Sequence, residues 1–181
     1  IADIMKARDI KARNGKGFIY RHHSLTMHNV SDNLLWRDFK ASKPNEKWTT
    51  DITYIWVEKQ LMYLATVMDL FSRKIVGWAL DESMTEALVE SALTMALERR
   101  GKPSGVILHS DRGVQYRAQR YIDYAQNNGF KLSMSRKGNC WDNAVTDTLF
   151  RSLKTEWLYH VDLEDLGHAE QELFEYIELF Y

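Results

Sequence analysis

Between residues 48 and 80 the chain carries three apolar runs separated by turns of only three residues, and nothing else in the sequence limits the fold as tightly. "WTTDITYIWV" (48–57) alternates with period two. Asp51, Thr53, Ile55 and Val57 fall on one face and Ile52, Tyr54 and Trp56 on the other. "EKQ" leads into "LMYLATVMDL" (61–70), and "FSR" into "KIVGWAL" (74–80). Strands joined this closely run antiparallel, because a parallel pair needs a crossover of roughly a dozen residues.

The period then lengthens. "SMTE" (83–86) reads as a capping box, with Ser83 as N-cap and Glu86 three residues on. Leu88, Ala92, Met95 and Ala96 share a helical face, which Arg99, Arg100, Gly101 and Pro103 bring to a close. "GVILHS" (105–110) is a short buried strand, 117–128 a helix ended by Gly129, and "FKLSMS" (130–135) a fifth strand. A polar loop, "SRKGNCWDN", precedes a helix starting near Asn143, a good N-cap, and a last helix covers about 163–180. The order βββαβαβαα predicts an α/β fold, a mixed sheet covered by helices. Upstream, residues 1–13 form a weakly amphipathic helix ended by "NGKG", and 18–43 read as linker. The expected division is a basic arm and linker over 1–43 and a core over 44–181.

The net charge of −1 hides a segregation. Residues 1–43 hold nine Lys/Arg against four Asp/Glu, while 156–181 carry no Lys or Arg. A basic arm beside an acidic body suits a polyanion for the arm and some other role for the acids. The lone Cys140 leaves no disulfide framework and no cysteine-based zinc site. No apolar run approaches the ~20 residues of a membrane span. These features fit a cytoplasmic protein, with no membrane partner.

Three acids sit where their residue type is hard to explain. Asp51 lies mid-strand among β-formers. Asp111 lies just past the fourth strand, and Asp147 one turn into the helix after the polar loop. If the fourth strand pairs beside the first, Asp51 and Asp111 become neighbours at a cleft-forming edge of the sheet. Clustered carboxylates with no cation among them repel one another, and hard oxygen ligands suit Mg²⁺ or Mn²⁺. Two such ions serve phosphoryl transfer. Arg151 and Lys154 follow Asp147 on the same helical face, where a phosphate backbone could approach.

"NEKWTTDITYI", "YLATVMDLFSRKIVGW", "HSDRGVQY" and "SRKGNCWDNAVTDTLFRSLKTE" resemble the catalytic core of bacterial insertion-sequence transposases with a retroviral-integrase-like domain. The resemblance covers about 44–158, and "RDIKARNGKGFIY" resembles the tail of the DNA-binding region before that core. It implies a ribonuclease-H-like fold and a DDE triad of metal-binding acids that map to Asp51, Asp111 and, after 35 intervening residues, Asp147. The implied activity is metal-dependent DNA cleavage and strand transfer on element ends and target DNA, with a two-metal site. A homo-oligomer on DNA and association with the nucleoid follow from it. The family's third acid is glutamate. Aspartate withdraws the carboxylate by on the order of 1 Å, enough to slow chemistry roughly a hundredfold. Two alternatives stay open: a nuclease of the same fold, and a DNA-binding relic that has lost catalysis.

Arg112, Gln115, Tyr116, Arg136, Lys137 and Trp141 flank the acids and join Arg151 and Lys154 as candidate DNA contacts. Asp69 and His109 read as structural. So does Asp142, although it could stand in for a short Asp147. The loop 135–143 is expected to order when DNA arrives.

Overall fold

The computed structural model describes residues 29–181, so the helix expected over 1–13 and the histidines at 22, 23 and 28 lie outside the described residues. Strands β1 (Lys47–Val57), β2 (Gln60–Asp69) and β3 (Ile75–Asp81) form the expected antiparallel meander. Helix α1 (Glu86–Arg99) leads to β4 (Ile107–Ser110), and α2 (Gln119–Asn127) to β5 (Lys131–Met134). Both later strands run parallel, β4 against β1 and β5 against β4. The sheet order is β3-β2-β1-β4-β5. Helix α3 (Ala144–Ser152) continues through a wider π turn (Leu153–Trp157), and α4 (Leu166–Phe174) through another (Glu175–Phe180).

Period-two alternation gives each face of the sheet its own core. Trp48, Ala65, Val67 and Val76 pack with α1 and α2, while Ile55, Val57, Leu64 and Trp78 pack with α3 and α4. A bulge in the β2–β3 pairing, where Val67↔Gly77 is followed by Met68↔Ile75, leaves Val76 unpaired. At Gly77 a Cβ would meet the Ala96 nitrogen at 2.7 Å, so α1 lies on β3 at a distance only glycine permits.

Two details depart from expectation. Helix α1 begins at Glu86 behind Thr85, and Ser83 is no cap: its N–H donates to Asp81 Oδ1 at 2.8 Å. Part of the linker also packs on the core. Leu35 is buried, the Leu34 N–H donates to Ser133 Oγ (2.9 Å), and the Met134 N–H donates to the Asp32 carbonyl (3.2 Å). Residues 29–40 thus form a strap across β5. Among the described residues, no helix is long and apolar enough to cross a membrane.

Candidate active site

Strand β1 pairs with β4 only from Lys47↔Ile107 to Thr49↔His109, so Asp51 stands just beyond the shared stretch and Asp111 just beyond the end of β4. The parallel pairing brings both acids to one cavity of about 560 Å³. Asp147, in the first turn of α3, lines it too, with Arg112, Arg136 and Lys137. Asp51 is partly buried and Asp147 exposed.

Asp51 accepts two hydrogen bonds, from the Ile52 N–H at Oδ1 and from Asn143 Nδ2 at Oδ2, each 2.8 Å. Neither donor is charged, and burial with the nearby Asp111 pushes its pKa up to about 7. The Gly113 N–H holds Asp111 Oδ1 at 2.8 Å, and burial raises the Asp111 pKa. Burial also raises that of Asp147, and Arg151 opposes the rise. Among the described residues no group of three His, Cys, Asp or Glu side chains is gathered closely enough to hold a metal ion as it stands. The donor set fits one nonetheless. The acids repel one another without a cation and offer only hard oxygen ligands.

Asn143 does hold the N-cap position of α3, yet its side chain caps nothing on the backbone. The amide nitrogen goes to Asp51, and Oδ1 accepts from Thr146 Oγ1 at 2.9 Å. A residue predicted as a helix cap is therefore an orienting group for the first acid.

The candidate DNA contacts divide. Lys137, Trp141 and Arg151 are exposed, and Lys154 is half-buried beside the cavity that joins Asp51 to Asp147. Among the described residues no carboxylate lies within ion-pair distance of Arg151 or Lys154, so Asp147 and Arg151, one turn apart on the same face, do not pair. Arg112 reaches the cavity while its Nε donates to the Ser135 carbonyl at 2.7 Å. Tyr116 and Gln115 correct the expectation. Tyr116 is buried, stacked edge-on against Tyr121 with its hydroxyl 3.3 Å from Thr50 Oγ1. Gln115 is buried and donates to the Met84 carbonyl at 2.9 Å. The chain folds back into the core straight after Asp111, which leaves neither side chain free for DNA.

Asp142 is no spare ligand. Its side chain is fully buried and accepts from Arg37 Nε (2.9 Å), from Arg136 Nε (2.9 Å), Nη2 (3.0 Å) and N–H (3.0 Å), and from Asn33 Nδ2 (2.9 Å). Arg136 holds its carboxyl far below the usual carboxylate range. The loop expected to be loose is thus pinned at its far end, and Trp36 and Arg37 take positive φ angles of 46° and 65° to reach it. Buried His109 sits behind this clamp. Its Nε2 donates to the Asp142 carbonyl at 3.0 Å, and Nδ1 lies 2.8 Å from Ser133 Oγ. Asp69 is buried too, where it accepts from Ser72 Oγ at 2.9 Å within the β2–β3 turn.

Residues 41–140 match the Integrase core domain family. This chain belongs to that family. It is also similar over its whole length, at 40% identity, to the transposase InsF for insertion sequence IS3A of Escherichia coli (strain K12), and spans 63% of that relative's length. Among solved structures, the fold of this integrase core is similar to a chain of the simian T-cell lymphotropic virus intasome in complex with PP2A regulatory subunit B56 gamma. There the TM-score is 0.67 and the identity 20%, over 84% of this chain and 54% of that one. It is similar as well to the HTLV-2 integrase catalytic core domain in complex with magnesium (TM-score 0.58, 20% identity, 77% of this chain and 91% of that one). These likenesses give the ribonuclease-H-like fold expected from the sequence.

Proposed function

We propose that this integrase core cleaves DNA strands and joins them to new ones, as the catalytic part of an insertion-sequence transposase. The observation that carries the reading is that Asp51 from the middle of β1, Asp111 from the end of β4 and Asp147 from a helix line one cavity with cations on its wall. Asp51, Asp111 and Asp147 would hold Mg²⁺ or Mn²⁺, in the two-metal arrangement expected for such acids. Bound ions of this kind supply Lewis acidity to the attacking and leaving oxygens of phosphoryl transfer. The protein does the rest. Asn143 and the Ile52 N–H fix the Asp51 carboxylate, the Gly113 N–H fixes Asp111, and Lys137, Arg151 and Lys154 meet phosphates. The DNA is that of element ends and target, and copies of the chain assemble on it, with the basic residues of 1–43 adding affinity.

Asp147 sets the rate. A carboxylate drawn back by one methylene positions its ligand poorly, so Asp147→Glu is expected to raise strand joining roughly a hundredfold with DNA affinity little changed. The assay is Mg²⁺-dependent cleavage and joining of labelled duplexes by the protein and its Asp147→Glu form. Cutting without joining in both forms would make the chain a nuclease of this fold. Binding without either would make it a relic.

A further inference from the structure

Two large aromatic side chains stand out in solvent on β1, beyond the acids. Tyr54 is 54% and Trp56 60% exposed, whereas Ile55 and Val57 between and after them are buried in the α3 core. They point the same way at i and i+2, a separation of ~6.6 Å along a strand. Among the described residues β1 has no strand partner on its β4 side past Thr49, so this end of it forms an open wall. Lys154, Leu158 and Tyr159 of the α3 extension form the opposite wall, and Leu163 closes the end, where its carbonyl accepts from the Glu58 N–H at 2.8 Å. The groove between them measures about 350 Å³.

It is not isolated. Tyr54, Lys154 and Tyr159 also line the neighbouring cavity, which contains Asp51, Asp147 and Arg151, and Asp51 and Asp147 line the acid cavity in turn. A continuous track therefore runs from the acids past two cations to an aromatic shelf. Lys154 joins the two parts, its ammonium 4.2 Å from the centre of the Tyr54 ring.

We infer that this shelf binds unpaired nucleotides of the DNA strand next to the reacting phosphate, with bases stacked on Tyr54 and Trp56 and the backbone tracked by Arg151 and Lys154. The inference rests on the DNA-processing reading above and names the form of DNA the site takes there. Aromatics alternating along a strand beside a basic track are what sequence-tolerant single-strand binding needs, since every base has a π face. Paired bases keep those faces inside the stack, so a blunt duplex gains nothing from the shelf. A protein partner would find apolar contact there, but no use for the cations that lead to the acids.

The test is fluorescence anisotropy with a short oligothymidylate, a blunt duplex and a duplex with an unpaired end, on the protein and its Tyr54→Ala, Trp56→Ala and Trp56→Phe forms. Each alanine should weaken the oligothymidylate and the open-ended duplex by about tenfold, leave the blunt duplex within about twofold, and Trp56→Phe should restore most of the loss. Unchanged oligothymidylate binding in both alanine forms overturns the shelf, as does an equal loss for all three DNAs. Loss of self-association by sedimentation with DNA affinities intact also overturns it, and makes the patch an interface between copies. Metal-dependent cleavage of duplex DNA, measured in parallel, separates the two readings. Cleavage with no shelf effect sinks only the shelf, while no binding to any DNA sinks both.

Discussion

Asp142 is buried and Asp51 partly buried, and the protein treats the two acids in opposite ways. Two guanidinium groups, one side-chain amide and one backbone N–H reach Asp142, and its carboxyl is held ionised far below the usual carboxylate range. Asp51 receives one amide and one backbone N–H, faces Asp111, and is pushed up to about 7. The first charge is neutralised from within. The second is left short of positive charge, which a cation arriving from outside can supply. The contrast sets the clamped acid apart from the acid proposed to bind metal.

The largest effect that could break this contrast comes from Asp111→Asn. It should cut metal-dependent cleavage by on the order of a thousandfold and leave the melting temperature no lower. A large loss of stability would put Asp111 with the structural acids. Asp142→Asn should do the reverse first. It strips a buried acceptor from two arginines and should lower Tm by roughly 5 °C, read by thermal unfolding. An unchanged Tm would mean that the clamp contributes nothing.

Proton linkage sharpens the same contrast at smaller size. Asp51 has a folded-state pKa above its unfolded value of 3.8, so the stability it contributes is present below about pH 4 and lost as pH rises through about 7. Metal-free protein should therefore lose a few degrees of Tm between those limits, and Asp51→Asn should remove that part of the slope. Added Mg²⁺ should restore Tm at high pH more than at low pH, because protons and metal compete for the carboxylate. A flat profile would contradict the cation-poor reading. The smallest effect is in the track of cations. Arg151→Ala and Lys154→Ala should each lower the salt dependence of DNA binding by about one unit, across sequences alike. Unchanged slopes would leave both side chains in solvent.

The meander was legible because alternation in 48–80 and three-residue turns leave one pairing, whereas β4 beside β1 entered only as a condition, since β3 offers a second open edge. That Asp51 and Asp111 reach one cavity follows from the β1–β4 pairing, and aspartate mid-strand was the mark that drew attention to the first of them. Tyr116 was misread because closeness to Asp111 in sequence was taken for closeness to the ligand, although the chain turns inward at that point. A tyrosine five residues before Tyr121, with Ala125 one turn further on, was the available hint of a buried stripe. The clamp had no such hint. Arg37 and Asp142 lie 105 residues apart, and nothing local in either stretch marks its partner. Asn143 was placed correctly and given the wrong job, since cap preference cannot tell whether a side chain serves its own helix or a strand acid 92 residues away.

The strap has a practical bearing on how this protein can be dissected. A fragment trimmed to begin at Pro44, where composition and alternation invite the cut, would lose Asn33 and Arg37 and leave Asp142 with Arg136 as its only side-chain partner. It would also bare Ser133 beside His109. Such a piece would keep every strand and helix and still misshape the loop that leads to Asp147. The smallest autonomous unit for crystallisation or labelling therefore starts ahead of Asn33, upstream of where the repeat of strands begins.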